Sequence, residues 1–381
     1  MSMKRSMALA TFAVVTLTGC SGLISGKSNR IQPTPLNQEV PSHLAQTAWS
    51  SSVSAKVEAT SGNRFTLGVQ NGRYFVAGDN GMVSAVSEGG GVLWNAKTDP
   101  LYTGVGVEGD KVFVGTKQGE LVALSAVDGK ELWRKGLYGA SIVTPKAHNG
   151  VVVTVTQGGA VEAFDSATGE VKWAYMMAPT RFSMRGSAEP IVFQNDLIVS
   201  NDAGQVIRFD VQTGAVKWGV KTSRVSDSGL VGSMLDIDSA PLVVGNDLYV
   251  ASIRQGISKI TAQGRLLWTK GNGVYAGIAH HGGNILSVED EGRIVALSTQ
   301  NGDEQWANTD LLGRGVSRPV IAGGKLVVAD FEGYVHALDP QTGRLLSSTK
   351  VGNGAFLPDL TVIGNAVFLQ EKAGRLIKVV L

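Results

Sequence analysis

Two carboxylates stand one residue apart at Asp236-Ile237-Asp238, and an extended backbone would put both on one face. Such a pair can begin a cation site, accept a guanidinium, or cap a turn. Calcium asks for six or more oxygens, and no further acidic cluster stands nearby in the sequence, so no metal-ligand set is assigned. His280 and His281 are adjacent in a β-rich run; alternation sends their rings to opposite faces, where they cannot share an ion. His43, His148 and His336 are scattered and read as surface or core residues. The glycine-rich run 87–91 lacks the Lys-Ser/Thr of a phosphate loop and reads as a turn. No catalytic, cofactor-binding or metal-ligating residue is assigned.

A second group of residues points to recognition. The stretch 174–190 carries Met176, Met177, Phe182 and Met184, followed at once by Arg185. Soft apolar side chains in a loop are penalised by water unless something covers them. A planar guanidinium beside them is a common interface anchor. The stretch 219–241 ends at the Asp236/Asp238 pair, so Arg185 and the aspartates can pair with each other or offer charge to a partner. Two readings stay open from composition alone. One is a satellite core beneath the loop with Asp238 capping a turn; the other is a partner-binding surface.

The elements that position these segments come from a repeat. Two or three β-formers, a glycine-bearing turn and a strand ending near Ala-Leu recur eight times, with turn glycines at 81, 119, 159, 204, 256, 292, 333 and 374. A period of about 40 residues built from short strands is the signature of a β-propeller, one copy per blade. A turn with Asp or Ser and a glycine follows each copy, then a short strand ending in Trp at 94, 133, 173, 218, 268 and 306. The turn side chains accept nearby backbone N–H groups. The Trp is large enough to cover a neighbouring blade, its indole N–H seeking a carbonyl. The seventh copy has Ser347 in place of the Trp, and the eighth stops at Leu381 without an outer strand. Trp49, ahead of the first copy, implies that the N-terminal strand completes the last blade and removes a free edge. Seven blades is the competing count, against which the eight turn phrases speak. The expected fold is all-β: an eight-bladed propeller of four-stranded antiparallel blades over residues 47–381. Both overlong stretches join an outer strand to the next inner strand, so both should emerge on one face of adjacent blades. Paired long loops on a rigid scaffold are a candidate binding surface.

Ahead of the repeat lies a targeting segment. Lys4 and Arg5 precede an apolar run, 7–17, too short to cross a bilayer as a helix. Leu17-Thr18-Gly19-Cys20 then resembles a lipobox, which implies that 1–19 is a lipoprotein signal peptide and that Cys20 is acylated. Ser21, rather than Asp, suggests export to the outer membrane. Cys20 is the sole cysteine, so no disulfide forms and stability rests on the hydrophobic core. Residues 20–46, with Pro33, Pro35 and Pro41, read as a flexible tether from the lipid. The formal net charge of +2 falls to about zero once Lys4 and Arg5 leave. No basic run survives, and a nucleic-acid partner is not expected.

The Ala-Leu-Asp-x-x-Thr-Gly-x-x-x-Trp pattern resembles the repeat of quinoprotein dehydrogenases. With a lipobox, eight copies and no disulfide, the whole chain resembles more closely the BamB family, lipoproteins of the outer-membrane β-barrel assembly machinery. That resemblance implies a non-catalytic scaffold facing the periplasm, with other assembly subunits and unfolded outer-membrane proteins as further partners. It also implies that Phe182, Met184, Arg185, Asp236 and Asp238 engage a POTRA domain of BamA. Leucines are common in the family where this chain has Phe182 and Met184, a change of shape and not of apolar character. The alternative is a periplasmic dehydrogenase dependent on pyrroloquinoline quinone. It would need a quinone pocket, a calcium, an Asp base and often a vicinal disulfide, the last excluded by the cysteine count.

Overall fold

Seven copies of the repeat each close into a four-stranded antiparallel sheet, because their turns are short and their strands alternate inward and outward. The computed structural model describes residues 31–37, 39–58, 64–177, 188–222, 237 and 239–381, and the sheets number eight. Blade three is typical: Lys146–His148 innermost, then Val151–Val155, Ala160–Asp165 and Val171–Met176. The middle two strands are almost wholly buried, whereas the outer strand alternates between exposed and half-buried residues. The expected turn chemistry is present. Asp165 Oδ1 accepts from the N–H groups of Ala167 and Thr168, each at 2.9 Å, and Asp210 and Asp339 make the same turn.

The core is not one central mass. It divides into eight apolar layers, each shared between two neighbouring blades. Tryptophans seal the outer edge of these layers. Trp94, Trp133, Trp173, Trp218 and Trp306 each lie over the third-turn glycine of the next blade and donate Nε1–H to a carbonyl there, at 2.8 to 3.3 Å. Gly214 shows why the position is glycine. Its φ is +70°, and a Cβ would stand 2.6 Å from the Trp173 ring. Both the backbone and the indole forbid a side chain.

Trp268 breaks the pattern. The carbonyl that the repeat offers it, Thr299 O, is taken by Lys259 Nζ at 2.9 Å and Tyr249 Oη at 3.2 Å, and Trp268 Nε1 is enclosed without an acceptor. Replacing Trp218 by Phe should therefore cost about 1 kcal/mol more than replacing Trp268 by Phe, since only the first loses a hydrogen bond. Urea midpoints of the two variants measure the difference; equal midpoints would refute it.

Blade eight consists of Thr361–Ile363, Ala366–Glu371 and Arg375–Val380, with Gln46–Ser52 as its fourth strand. The N-terminal strand pairs antiparallel with Arg375–Val380, from Gln46 opposite Val380 to Ser52 opposite Arg375. This is the closure expected from Trp49, which covers Gly90 of blade one and donates Nε1–H to Glu88 O at 3.0 Å. The closure also explains Ser347. A Trp in blade seven would cover the turn between the third and fourth strands of blade eight, and a blade finished by the other chain end has no such turn. The incoming chain lies there instead: Pro41 O accepts from Ser348 N at 3.0 Å, and Ala45 is buried in the layer between blades seven and eight. Further upstream Thr34 N donates to Leu312 O at 2.9 Å, and Leu36 packs on the layer between blades six and seven. Part of the stretch expected to act as a tether thus lies along blade seven.

Candidate functional site

The two overlong connections leave their blades as the short ones do. In blade one, Thr98 N donates to the turn carbonyl of Gly81 at 2.8 Å. Met177 N makes the same bond to Gly159 O at 3.0 Å, and Thr222 N to Gly204 O at 2.9 Å. Both connections therefore start on the face that carries the repeated glycine turns. They also return together. Ala188, ahead of blade four, and Ile237, ahead of blade five, are both fully buried in one apolar layer with Ile198, Val206, Leu248, Val250 and Ile260. Two sequence insertions separated by a whole blade are rooted in the same core.

The structure corrects one part of the sequence reading. Met176 and Met177 are not loop residues of one kind. Met176 ends the outer strand and is 60% exposed, whereas Met177 is 1% exposed and packs in the layer between blades three and four. Alternation along the strand separates them: one of two consecutive side chains must face the blade behind. The remaining calls, Phe182, Met184, Arg185, Asp236 and Asp238 together with Cys20, lie outside the described residues.

Two buried polar groups escaped the sequence reading. Glu189 ends the first long connection and reaches from blade four to the hydroxyls of Thr144 in blade three and Thr66 in blade one, with Lys146 Nζ 3.0 Å from its Oε2. Burial pushes its carboxyl upward, but the Lys146 charge and the donated hydroxyls outweigh this and hold it below the ordinary glutamate value. Aligning the inner strands would have found it, since Glu189, Arg318 and Asp359 are the charged residues at one repeat position otherwise held by Thr66, Gly104, Thr144, Ala240 and Gly277.

The other group lies in blade seven. Ser348 Oγ is 2.8 Å from His336 Nδ1, His336 Nε2 is 3.0 Å from Asp330 Oδ2, and Arg314 pairs with the same carboxylate at 2.7 Å. The order serine, histidine, aspartate is that of a nucleophilic triad. Its setting is not: His336 and the Asp330 side chain are 0% exposed and the Arg314 side chain 3%, with Arg314 Nη1 bonded to Thr34 O of the incoming chain. So enclosed, the group is a buried ion network that fixes blade seven to the N-terminal segment. His280 and His281 lie next to each other in the strand Val274–His281, and burial with the neighbouring His281 pushes the His280 imidazole down. Among the described residues, no cluster of three or more His, Cys, Asp or Glu side chains is arranged to hold a metal ion.

The family described as outer membrane protein assembly factor BamB matches residues 79–308 and 308–379. The protein of that name from Yersinia pestis is 27% identical over 388 residues, covering 98% of this chain and 98% of its own. Among solved structures, BamB from Moraxella catarrhalis superposes with a TM-score of 0.80 at 25% identity, covering 88% of this chain and 100% of that one. A quinohemoprotein alcohol dehydrogenase from Comamonas testosteroni superposes at 0.66 with 13% identity, over 88% of this chain and 76% of the enzyme, a likeness of fold alone.

Proposed function

The chain belongs to the family of outer membrane protein assembly factor BamB, and from that premise we propose that it is a non-catalytic scaffold of the outer-membrane β-barrel assembly complex. In this reading residues 1–19 are removed, Cys20 carries the acyl chains, and the propeller faces the periplasm from the outer membrane. Phe182, Met184 and Arg185 in the first long connection, with Asp236 and Asp238 in the second, bind a POTRA domain of BamA. Through that contact the propeller assists folding and insertion of outer-membrane proteins.

The observation that carries the reading is the common root of the two connections. Ala188 and Ile237 sit in one core layer, so two connections from different blades end side by side. A rigid base of this kind keeps a two-part epitope in register and lowers the ordering cost of binding. Ile237 is the inward anchor, and the aspartates on either side of it supply the charge.

Arg185→Glu, or Asp236→Ala with Asp238→Ala, should reduce recovery of BamA with this protein from solubilised membranes by about tenfold or more, as loss of a charged hot spot does. The thermal midpoint should stay near wild type. Unchanged recovery removes the proposed contact; a collapse in stability assigns these residues to the scaffold instead. The quinoprotein alternative has its own test. Retention of pyrroloquinoline quinone with calcium after gel filtration, together with alcohol-dependent dye reduction, would overturn the scaffold reading.

A further inference from the structure

We propose that the mouth of the propeller axis, between blades six and one, binds a carboxylate through Arg318. The residues two places before the three inner-strand positions next to the first turn meet across blade boundaries in several blades. Thr66, Thr144 and Glu189 join blades one, three and four in this way, in front of Gly104, where a Cβ would stand 2.8 Å from Thr144 Oγ1. On the other side of the ring Asp359 of blade eight pairs with Arg64 at 2.8 Å.

Among the described residues, charge is matched at this level except in one place. Glu189 has Lys146 and Asp359 has Arg64. Arg318, at the same position in blade seven, has no carboxylate partner among the described residues, and its Nε is enclosed without an acceptor. Its stem crosses Gly277 of blade six, where a Cβ would lie 2.7 Å from both Arg318 Cγ and Cδ. Gly277 has φ +125°, so the chain is shaped to let the arginine lie there. The backbone holds the other side: Arg318 N donates to Pro358 O at 3.0 Å, which sets Asp359 beside it. Asp359 is 6% exposed, and its Oδ2 is enclosed without a donor, yet it forms no ion pair with Arg318. Two enclosed polar atoms on neighbouring blades thus lie without a partner among the described residues, which is costly unless polar groups reach them.

A ligand's carboxylic group meets the need of Arg318 for an acceptor. Its carboxylate accepts from a guanidinium in the planar two-bond geometry that arginine favours. Single negative charge also suits the place better than the double charge of phosphate, because Asp359 and Glu189 would repel a dianion. The ligand is either a free small organic acid or an acidic side chain of an inserted polypeptide.

Ligand-detected NMR on the purified chain distinguishes these. Acetate, inorganic phosphate and a short end-blocked peptide with two glutamates are titrated separately. The expected result is saturable acetate binding, weaker for phosphate. Peptide binding more than about tenfold tighter than acetate assigns the site to a polypeptide, and otherwise to a free acid. Arg318→Met should weaken acetate binding at least about tenfold while leaving the fold intact, since it removes a charge without a partner. Arg318→Lys, which keeps the charge and loses the fork, should retain part of the binding. Saturation that is absent in the wild type, that favours phosphate, or that survives Arg318→Met overturns the proposal.

Discussion

A chain shortened to begin at Ser54 is expected not to fold cooperatively. The deletion removes the strand Gln46–Ser52 and with it the whole antiparallel ladder to Arg375–Val380. Blade eight is then left with a bare edge, which a ring cannot tolerate and which invites association between chains. The loss extends into the layer shared by blades eight and one. Trp49 packs at 5.9 Å from Tyr74 and 6.0 Å from Phe368, and Val53, whose N–H donates to Gly374 O at 2.9 Å, is buried beside them. Circular dichroism and urea titration should find aggregation or a broad transition with a lowered m-value. A milder variant calibrates the effect. Trp49→Ala keeps the ladder and removes the seal over Gly90, at a cost of about 3 kcal/mol. A sharp transition with the native midpoint in the shortened chain would refute closure by the N-terminal strand.

Asp330→Ala should destabilise the protein by about 3–5 kcal/mol, because it leaves a buried guanidinium without its principal anion. Arg314 donates Nε–H to Asp330 Oδ2 at 2.8 Å, and His336 loses its partner at 3.0 Å. Glu332, which also pairs with Arg314, is exposed enough to compensate only in part. The same carboxylate gives the stability curve an acid limb. Burial raises the Asp330 pKa, but the His336 hydrogen bond, the Tyr334 N–H and Arg314 together hold it below the ordinary value of 3.8. A depressed folded pKa contributes stability that is fully present above the unfolded value and is lost as pH falls through the folded one. Between about pH 4 and the acid transition, wild type should therefore lose stability more steeply than Asp330→Asn. Parallel curves for the two proteins would mean that the network contributes nothing to acid unfolding.

The repeated phrases made the blades legible because strand alternation and turn chemistry are local. Asp165, Asp210 and Asp339 cap their turns within three residues, so the sequence contains both partners of each bond. The covering role of the tryptophans was also legible, since each indole meets the same kind of turn in a neighbouring blade. Trp268 was not distinguishable from the others. Its missing acceptor depends on Lys259 and Tyr249 reaching Thr299 O from two other strands. Met176 and Met177 were read together because nothing local marks where an outer strand ends, and burial divides them.

For this chain, sequence alone determined the eight blades, the closing strand and the two places where the period lengthens. Those features follow from short-range periodicity and from the order of elements along the chain. Tertiary structure decided which distant residues share a layer. It brought Ala188 and Ile237 into one core, carried Glu189 to Thr66, and buried His336 between Ser348 and Asp330. It also set Arg318 across Gly277, in no ion pair with any described carboxylate. Ring closure is the physical reason. Residues far apart in the chain become neighbours only when the blades meet around the axis, and no local pattern records which side chains then face each other.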